Sequence, residues 1–109
     1  MMHRPRFLPE VAADLVAGSH WHEEKAPGLG EDVARMFYTR CEEISGSPLA
    51  CAVVAGRYRR GLLRRFPYSV YYVVDTDAIL VVGAFHSVRR PATTAANLEE
   101  RAGRRPERG

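Results

Sequence analysis

Two segments in the first half of the chain place apolar residues at the spacing of an α-helix. In "EVAADLVAGSHWHEEK", which follows Pro9, the residues Ala12, Leu15, Val16 and Ser19 recur on one face. A proline suits this place because the first turn of a helix does not need its missing N–H. We therefore expect a helix that turns these four residues toward a core.

A second helix is predicted by "EDVARMFYTRCEEI", in which apolar residues recur every three or four positions. They are Val33, Phe37, Cys41 and Ile44, with Met36 beside them. Between the two helices, "APGLG" contains a proline and two glycines, which favour a tight connection. Residues 9–45 are therefore predicted to form an αα-hairpin.

From about Val53 the apolar period changes from helical to alternating, which indicates β-strands. "YRRGLLRRF" alternates weakly, whereas "YSVYYVV" and "AILVVGAF" are β-branched and aromatic runs joined by the turn "DTD". "HRPRFL" adds a short first strand, which Pro5 confines to a sheet edge or a strand start. The predicted class is α+β, with an N-terminal strand and a helical hairpin packed on a three-stranded antiparallel β-meander. Both sheet faces are apolar, so the face away from the helices also needs a cover.

The length of the chain fits one domain, since 109 residues can bury a single core. We assign residues 3–92 to this domain and residues 93–109 to a basic, flexible C-terminal tail, with a short helix from Thr94 to Arg101. No apolar run is long enough to cross a bilayer, and the start of the chain has no apolar signal region. The expected location is the cytoplasm, without membrane contact.

Charge divides the chain into an acidic and a basic half. Residues 1–56 carry five Lys and Arg against eight Asp and Glu, a net −3, whereas residues 57–109 carry eleven against five, a net +6. Nearly all of the cations are arginines. A basic half favours an acidic partner, either nucleic acid or an acidic protein segment. The alternative is that arginine is a compositional habit of the host.

Few residues are spaced for metal or acid–base chemistry. His20 and His22 are not at ligand spacing on a helix, and the two cysteines stand outside any ligand motif, so neither a metal nor a cofactor is expected. Glu23 and Glu24 are adjacent, and adjacent helical side chains diverge, so we interpret them as a solvated helix face. Cys41 lies on the apolar stripe and is expected in the core.

Four pieces of sequence together resemble the ParE branch of the RelE/ParE toxin superfamily of type II toxin–antitoxin systems. They are "FLPEVAADL", "WHEEKAPGLG", "RYRRGLLRRFPYSVYYVV" and "VVGAFHSVRRP". They span about residues 3–92, and their order matches the strand, helical hairpin and meander of that family. The chain departs from the family pattern at His22, where tyrosine is usual, at Arg90, where aspartate is common, and in lacking a tryptophan after the following proline.

The resemblance implies a toxin that inhibits DNA gyrase on cleaved DNA and is not itself a catalyst. It further implies a cognate antitoxin with an acidic or amphipathic C-terminal segment, which binds the toxin in a hetero-oligomer. Contact with nucleic acid would then come through the DNA that is bound to gyrase. A groove for such a segment is the expected use of an apolar sheet face beside a basic edge.

The candidate residues for binding the target or the antitoxin are the arginines and aromatic residues of the meander. They are Arg57, Arg59, Arg60, Arg64, Arg65, Phe66, Tyr68, Tyr71, Tyr72 and Arg89. The planar guanidinium fork suits phosphates and carboxylates alike, so the pattern does not divide the arginines between partners. If the strand continues past residue 63, Arg64 and Arg65 point to opposite faces. The alternatives are a solvated β edge for the arginines and core packing for about half of the aromatic residues.

A second interpretation is a ribosome-dependent mRNA endoribonuclease of the RelE type. His86, expected on the same face as Leu80, Val82 and Ala84, would be the general acid beside Arg89. An arginine of residues 59–65 would complete this site. Residues 57–74 supply no Glu or Lys as a base, so a structural role for His86 is favoured. A degenerate member that only binds antitoxin is the third interpretation.

Overall fold

The computed structural model describes residues 4–76, 78–87 and 91–103. Its elements are β1 (Arg4–Phe7), α1 (Glu10–Lys25), α2 (Leu29–Gly46), β2 (Val53–Ala55), β3 (Tyr58–Leu62), β4 (Tyr68–Val74), β5 (Ala78–His86) and α3 (Pro91–Gly103). The strands form one sheet in the order β1-β5-β4-β3-β2, with β1 parallel to β5 and the other pairs antiparallel. The α+β class and the antiparallel meander are confirmed, with β2 as a short additional edge strand.

The helical hairpin is confirmed, and α2 buries the predicted stripe of Val33, Phe37, Cys41 and Ile44. Burial raises the pKa of the Cys41 thiol to about 12, as expected for a core cysteine.

The turn between the helices depends on a carboxylate and on two glycines. Glu23 accepts hydrogen bonds from the backbone N–H groups of Gly28 and Gly30 at 3.0–3.2 Å, so it stabilises the start of α2 rather than facing only solvent. Gly28 has φ 85°, and a Cβ on Gly30 would lie 2.5 Å from the carbonyl oxygen of Ser19. Glu23 and Glu24 are both exposed, as expected for a solvated helix face, and Glu23 has this stabilising role in addition.

The buried face of α1 differs from the predicted one. Val11, Leu15, Gly18 and His22 are buried, whereas Ala12 and Val16 are exposed. The face is rotated because α1 approaches the sheet at a glycine, where a Cβ would lie 3.2 Å from the ring of Tyr68. Only Leu15 belongs to both the predicted and the observed face.

The sheet face away from the hairpin is covered by the chain itself. The side chain of Leu98 on α3 is fully buried, and its carbonyl oxygen accepts a hydrogen bond from the hydroxyl of Tyr58 at 3.4 Å. The helix predicted from Thr94 to Arg101 thus exists, is longer, and contributes to the core. The division of the chain at residue 92 and the tail beyond residue 103 stay predictions, since residues 104–109 lie outside the described part.

An irregularity in the pairing of β4 with β5 changes where side chains point. The pairing of β4 with β5 shifts between Tyr71 and Tyr72, which places Leu80 opposite Val73 and Ala84 opposite Val70. His86 therefore shares a face with Ala84 but not with Leu80, contrary to simple alternation.

None of the described helices is long and apolar enough to span a membrane.

Candidate functional site

A groove of about 620 Å³ lies where α1, the ends of β4 and β5, and α3 meet. Its α1 wall is formed by Asp14, two small residues and Trp21, and its other walls by the strand ends and Arg101. The lining residues are Asp14, Ala17, Gly18, Trp21, Tyr68, Ala84, Phe85, His86 and Arg101. Of the predicted residues that the structure describes, Tyr68 and His86 line this groove.

A largely buried ion pair lines part of the groove. Arg101 donates two hydrogen bonds to the carboxylate of Asp14, at 2.7 and 2.9 Å, and one to the carbonyl oxygen of Val82 at 2.9 Å. Asp14 also accepts the backbone N–H of Ala84 at 3.0 Å. These two side chains thus provide hydrogen-bond partners for the backbone of β5 where β1 no longer pairs with it. The bonds to Asp14 also raise the pKa of Arg101.

Aromatic rings connect the groove to the turn between β3 and β4. The ring of His22 makes edge contacts with Trp21 at 4.7 Å, Phe66 at 5.2 Å and Tyr68 at 5.5 Å, and Tyr68 contacts His86 at 5.4 Å. Burial lowers the pKa of His22, and His86 lowers it further. Within the described residues Nε2 of His22 has no hydrogen-bond partner, so the neutral ring serves as an aromatic packing residue.

Several of the predicted arginines are bound within the protein. Arg59 donates to the carbonyl oxygen of Cys51 at 2.6 Å and to that of Leu49 at 3.4 Å. Arg65 lies 3.5 Å from the carboxylate of Asp32 and over the ring of Phe66. The bonds of Arg59 hold the connection after α2, whereas Arg65 makes a largely exposed contact with the start of α2.

Arg57 makes two weak contacts. Its guanidinium lies 4.0 Å from Glu99, with both side chains largely exposed, and 5.4 Å from the ring centre of Tyr58. These contacts leave Arg57 accessible from solvent.

Arg60 and Arg64 differ from these arginines, because their side chains have no hydrogen bond or ion pair with any residue in the described ranges. Arg64 is exposed and lines a small groove on α2 with Met36, Thr39 and Arg40. β3 ends at Leu62, so the alternation expected for residues 64 and 65 does not occur, and both arginines lie beside α2.

The predicted aromatic residues divide between core and groove. Tyr71 and Tyr72 are buried, and the hydroxyl of Tyr72 donates to the carbonyl oxygen of Pro48 at 2.7 Å. Phe66 is buried against His22, whereas Tyr68 is half-buried and borders the groove. Core packing therefore accounts for most of them.

Among the lining residues that the sequence did not predict for the site are Asp14, Trp21 and Arg101. An exposed tryptophan beside a histidine on a helix was the one available signal. Arg89 and Arg90 lie outside the described residues, so the expected position of Arg89 beside His86 stays a prediction. Among the residues that the structure describes, no cluster of His, Cys, Asp or Glu could hold a metal ion.

The arrangement of an edge strand, a helical hairpin and an antiparallel meander defines the RelE/ParE-like class of α+β fold. No protein-family model and no curated protein matches the chain. Six chains of solved structures do. One of them belongs to the "Chromosomal ParDE TA system from P. aeruginosa", with a TM-score of 0.69 and 17% identity, covering 78% of this chain and 96% of that chain. The likeness confirms the fold that the resemblance implied.

Proposed function

We propose that this chain is the toxin of a type II toxin–antitoxin pair, silenced in the cytoplasm by a cognate antitoxin. The observation that carries the proposal is the fold likeness to the ParDE system, which extends over 96% of the matched chain. The basic second half of the sequence adds support, because it suits a partner with an acidic segment.

We further propose that the toxin acts by binding DNA gyrase rather than by cleaving RNA. The groove around His86 supports this view, since the carboxylate that shares it, Asp14, is held by Arg101 and by a backbone N–H. A carboxylate fixed in this way is a poor general base, because accepting a proton would break the ion pair. His86 is then a structural residue that packs on Tyr68.

Growth measurements test the toxin assignment. Induced expression of the chain should arrest growth, and co-expression of the protein encoded by the adjacent reading frame should restore it and yield a hetero-oligomer on size-exclusion chromatography. Unimpeded growth with abundant folded protein would contradict the assignment and favour a member that only binds antitoxin.

A plasmid assay tests the target. Purified protein, gyrase, ATP and plasmid should accumulate covalently trapped linear DNA, and His86→Ala should behave like wild type and like the exposed control His20→Ala. If folded protein leaves the plasmid unaffected, and His86→Ala alone abolishes toxicity and mRNA cleavage on ribosomes, the ribonuclease interpretation replaces the gyrase one.

A further inference from the structure

The outer face of β3 is covered at one end and open at the other. Gly61 faces α2, since a Cβ there would lie 2.7 Å from Cδ1 of Ile44, so Tyr58, Arg60 and Leu62 point to the opposite face. Tyr58 is buried and bonded to α3, whereas Leu62 is 50% exposed. The covering helix therefore does not enclose the β2 side of the sheet at Leu62.

Arg60 lies between these two ends and is half-buried. Its neighbour on β4 is Tyr71, and its neighbour on the β2 side is the small, exposed Ala52. The carbonyl oxygen of Ala52 accepts a hydrogen bond from the backbone N–H of Arg60 and leaves the guanidinium unbonded. No carboxylate among the described residues meets the guanidinium. Arg59, one position earlier, instead points to the α2 face and donates to two backbone carbonyls. A partly desolvated cation without an anion is unfavourable, and a partner carboxylate would remove that penalty.

We propose that Arg60 and Leu62 form a docking point for an extended segment of the antitoxin that carries a carboxylate next to an apolar side chain. The carboxylate would take the bidentate face of the Arg60 guanidinium, and the apolar side chain would cover Leu62. The inference rests on the proposed function only in naming the antitoxin as the source of this segment.

The surroundings favour a protein segment over nucleic acid. A phosphate backbone is bound by several exposed cations in a row, whose number sets the salt dependence. Here one half-buried guanidinium stands beside an exposed leucine and an alanine. The exposed Arg57 pairs with Glu99 at the end of the strand that α3 covers, and Arg64 lies on the other side of the sheet beside α2. A mixed apolar and acidic segment matches both the charge and the apolar area.

The test uses the full chain and a short fluorescein-labelled peptide that alternates glutamate and leucine. Fluorescence anisotropy should detect its binding, and Arg60→Met should weaken it about tenfold or more, as expected for a lost charge-assisted bond. Arg60→Lys should lie in between, because it keeps the charge without the planar fork. Leu62→Ala should weaken binding severalfold. The matched control Arg6→Met removes an equal charge from the opposite edge strand and should change affinity by less than about twofold.

Three results would overturn the proposal. The first is absence of peptide binding, or equal losses in Arg60→Met and Arg6→Met, which would indicate net charge alone. The second is equal binding of a peptide with glutamine in place of glutamate. The third is displacement of the peptide by a single-stranded DNA oligonucleotide with the same dependence on Arg60. Failure of the proposed function is a separate outcome, since growth arrest and its rescue are measured without the peptide.

Discussion

Replacing Arg101 with methionine should destabilise the protein by about 3 kcal/mol, because it leaves a buried carboxylate without its cation. The side chains of Arg101 and Asp14 are only 15% and 12% exposed. Methionine keeps an apolar side chain near the ring of Phe85, over which the guanidinium lies at 4.7 Å, so the main loss is electrostatic.

The magnitude follows from which bonds are lost. Removing one partner of a buried pair costs about 3–5 kcal/mol, and the remaining exposure of this pair places it at the lower end. That figure already includes the donor lost by the carbonyl of Val82, about 1 kcal/mol, whereas the N–H of Ala84 keeps Asp14 as its acceptor. At roughly 4–8 °C per kcal/mol for a domain near this size, a loss of about 3 kcal/mol should lower Tm by about 12–24 °C.

Urea and thermal unfolding, followed by circular dichroism, measure this change. The matched control is Arg35→Met, which removes an arginine that is 62% exposed from its pair with Asp32 and should cost less than about 1 kcal/mol. The double variant Asp14→Asn with Arg101→Met should recover part of the loss, because the amide oxygen still accepts the N–H of Ala84 without a buried charge. If Arg101→Met costs no more than Arg35→Met, the ion pair does not hold α3 on the sheet and the reasoning fails.

Three further substitutions or reactions test the packing. Gly61→Ala should cost about 1–3 kcal/mol because its Cβ would lie 2.7 Å from Ile44, whereas Gly46→Ala, with nothing within 4 Å, should stabilise α2 by up to about 1 kcal/mol; equal Tm values would contradict this. His22 has a lowered pKa, so protonation favours the unfolded chain, and stability should decline as pH falls below the ordinary value of 6.5. His22→Phe should flatten that decline in urea titrations, and an unchanged slope would assign it to other groups. Cys41, with its pKa near 12, should react with iodoacetamide only after unfolding, later than the half-buried second cysteine, as mass spectrometry would reveal.

The buried face of a helix could be predicted from the sequence where the residues on that face are apolar. The stripe of α2 is apolar at each core position, so its period was visible. The buried face of α1 includes Gly18 and His22, and neither registers as apolar although both are buried for packing reasons. Gly18 admits the ring of Tyr68, and His22 joins the aromatic cluster, so the helix was predicted and its orientation was not.

Contacts between distant parts of the chain had no local signal at all. Asp14 and Arg101 are 87 positions apart, and each looks like an ordinary charge near the end of a helix. Because residues 93–109 were predicted to form a flexible tail outside the domain, the outer sheet face was expected to need a cover from elsewhere. The burial of Leu98 shows that α3 supplies one, and it confines any partner on that face to what α3 leaves open.

This restriction is what separates the arginines that composition alone made equivalent. Arg59 and Arg60 are adjacent and carry the same charge, yet the pleat of β3 points them to opposite faces of the sheet. Arg59 bonds backbone carbonyls beside α2, whereas Arg60 lies on the outer face beside the exposed Leu62. Substituting Arg59 should therefore lower stability through lost hydrogen bonds, whereas substituting Arg60 should leave unfolding nearly unchanged and lower partner affinity. Parallel measurements of Tm and of peptide affinity on Arg59→Met and Arg60→Met would decide this, and the same ratio of the two effects in both variants would refute a division of roles along the strand.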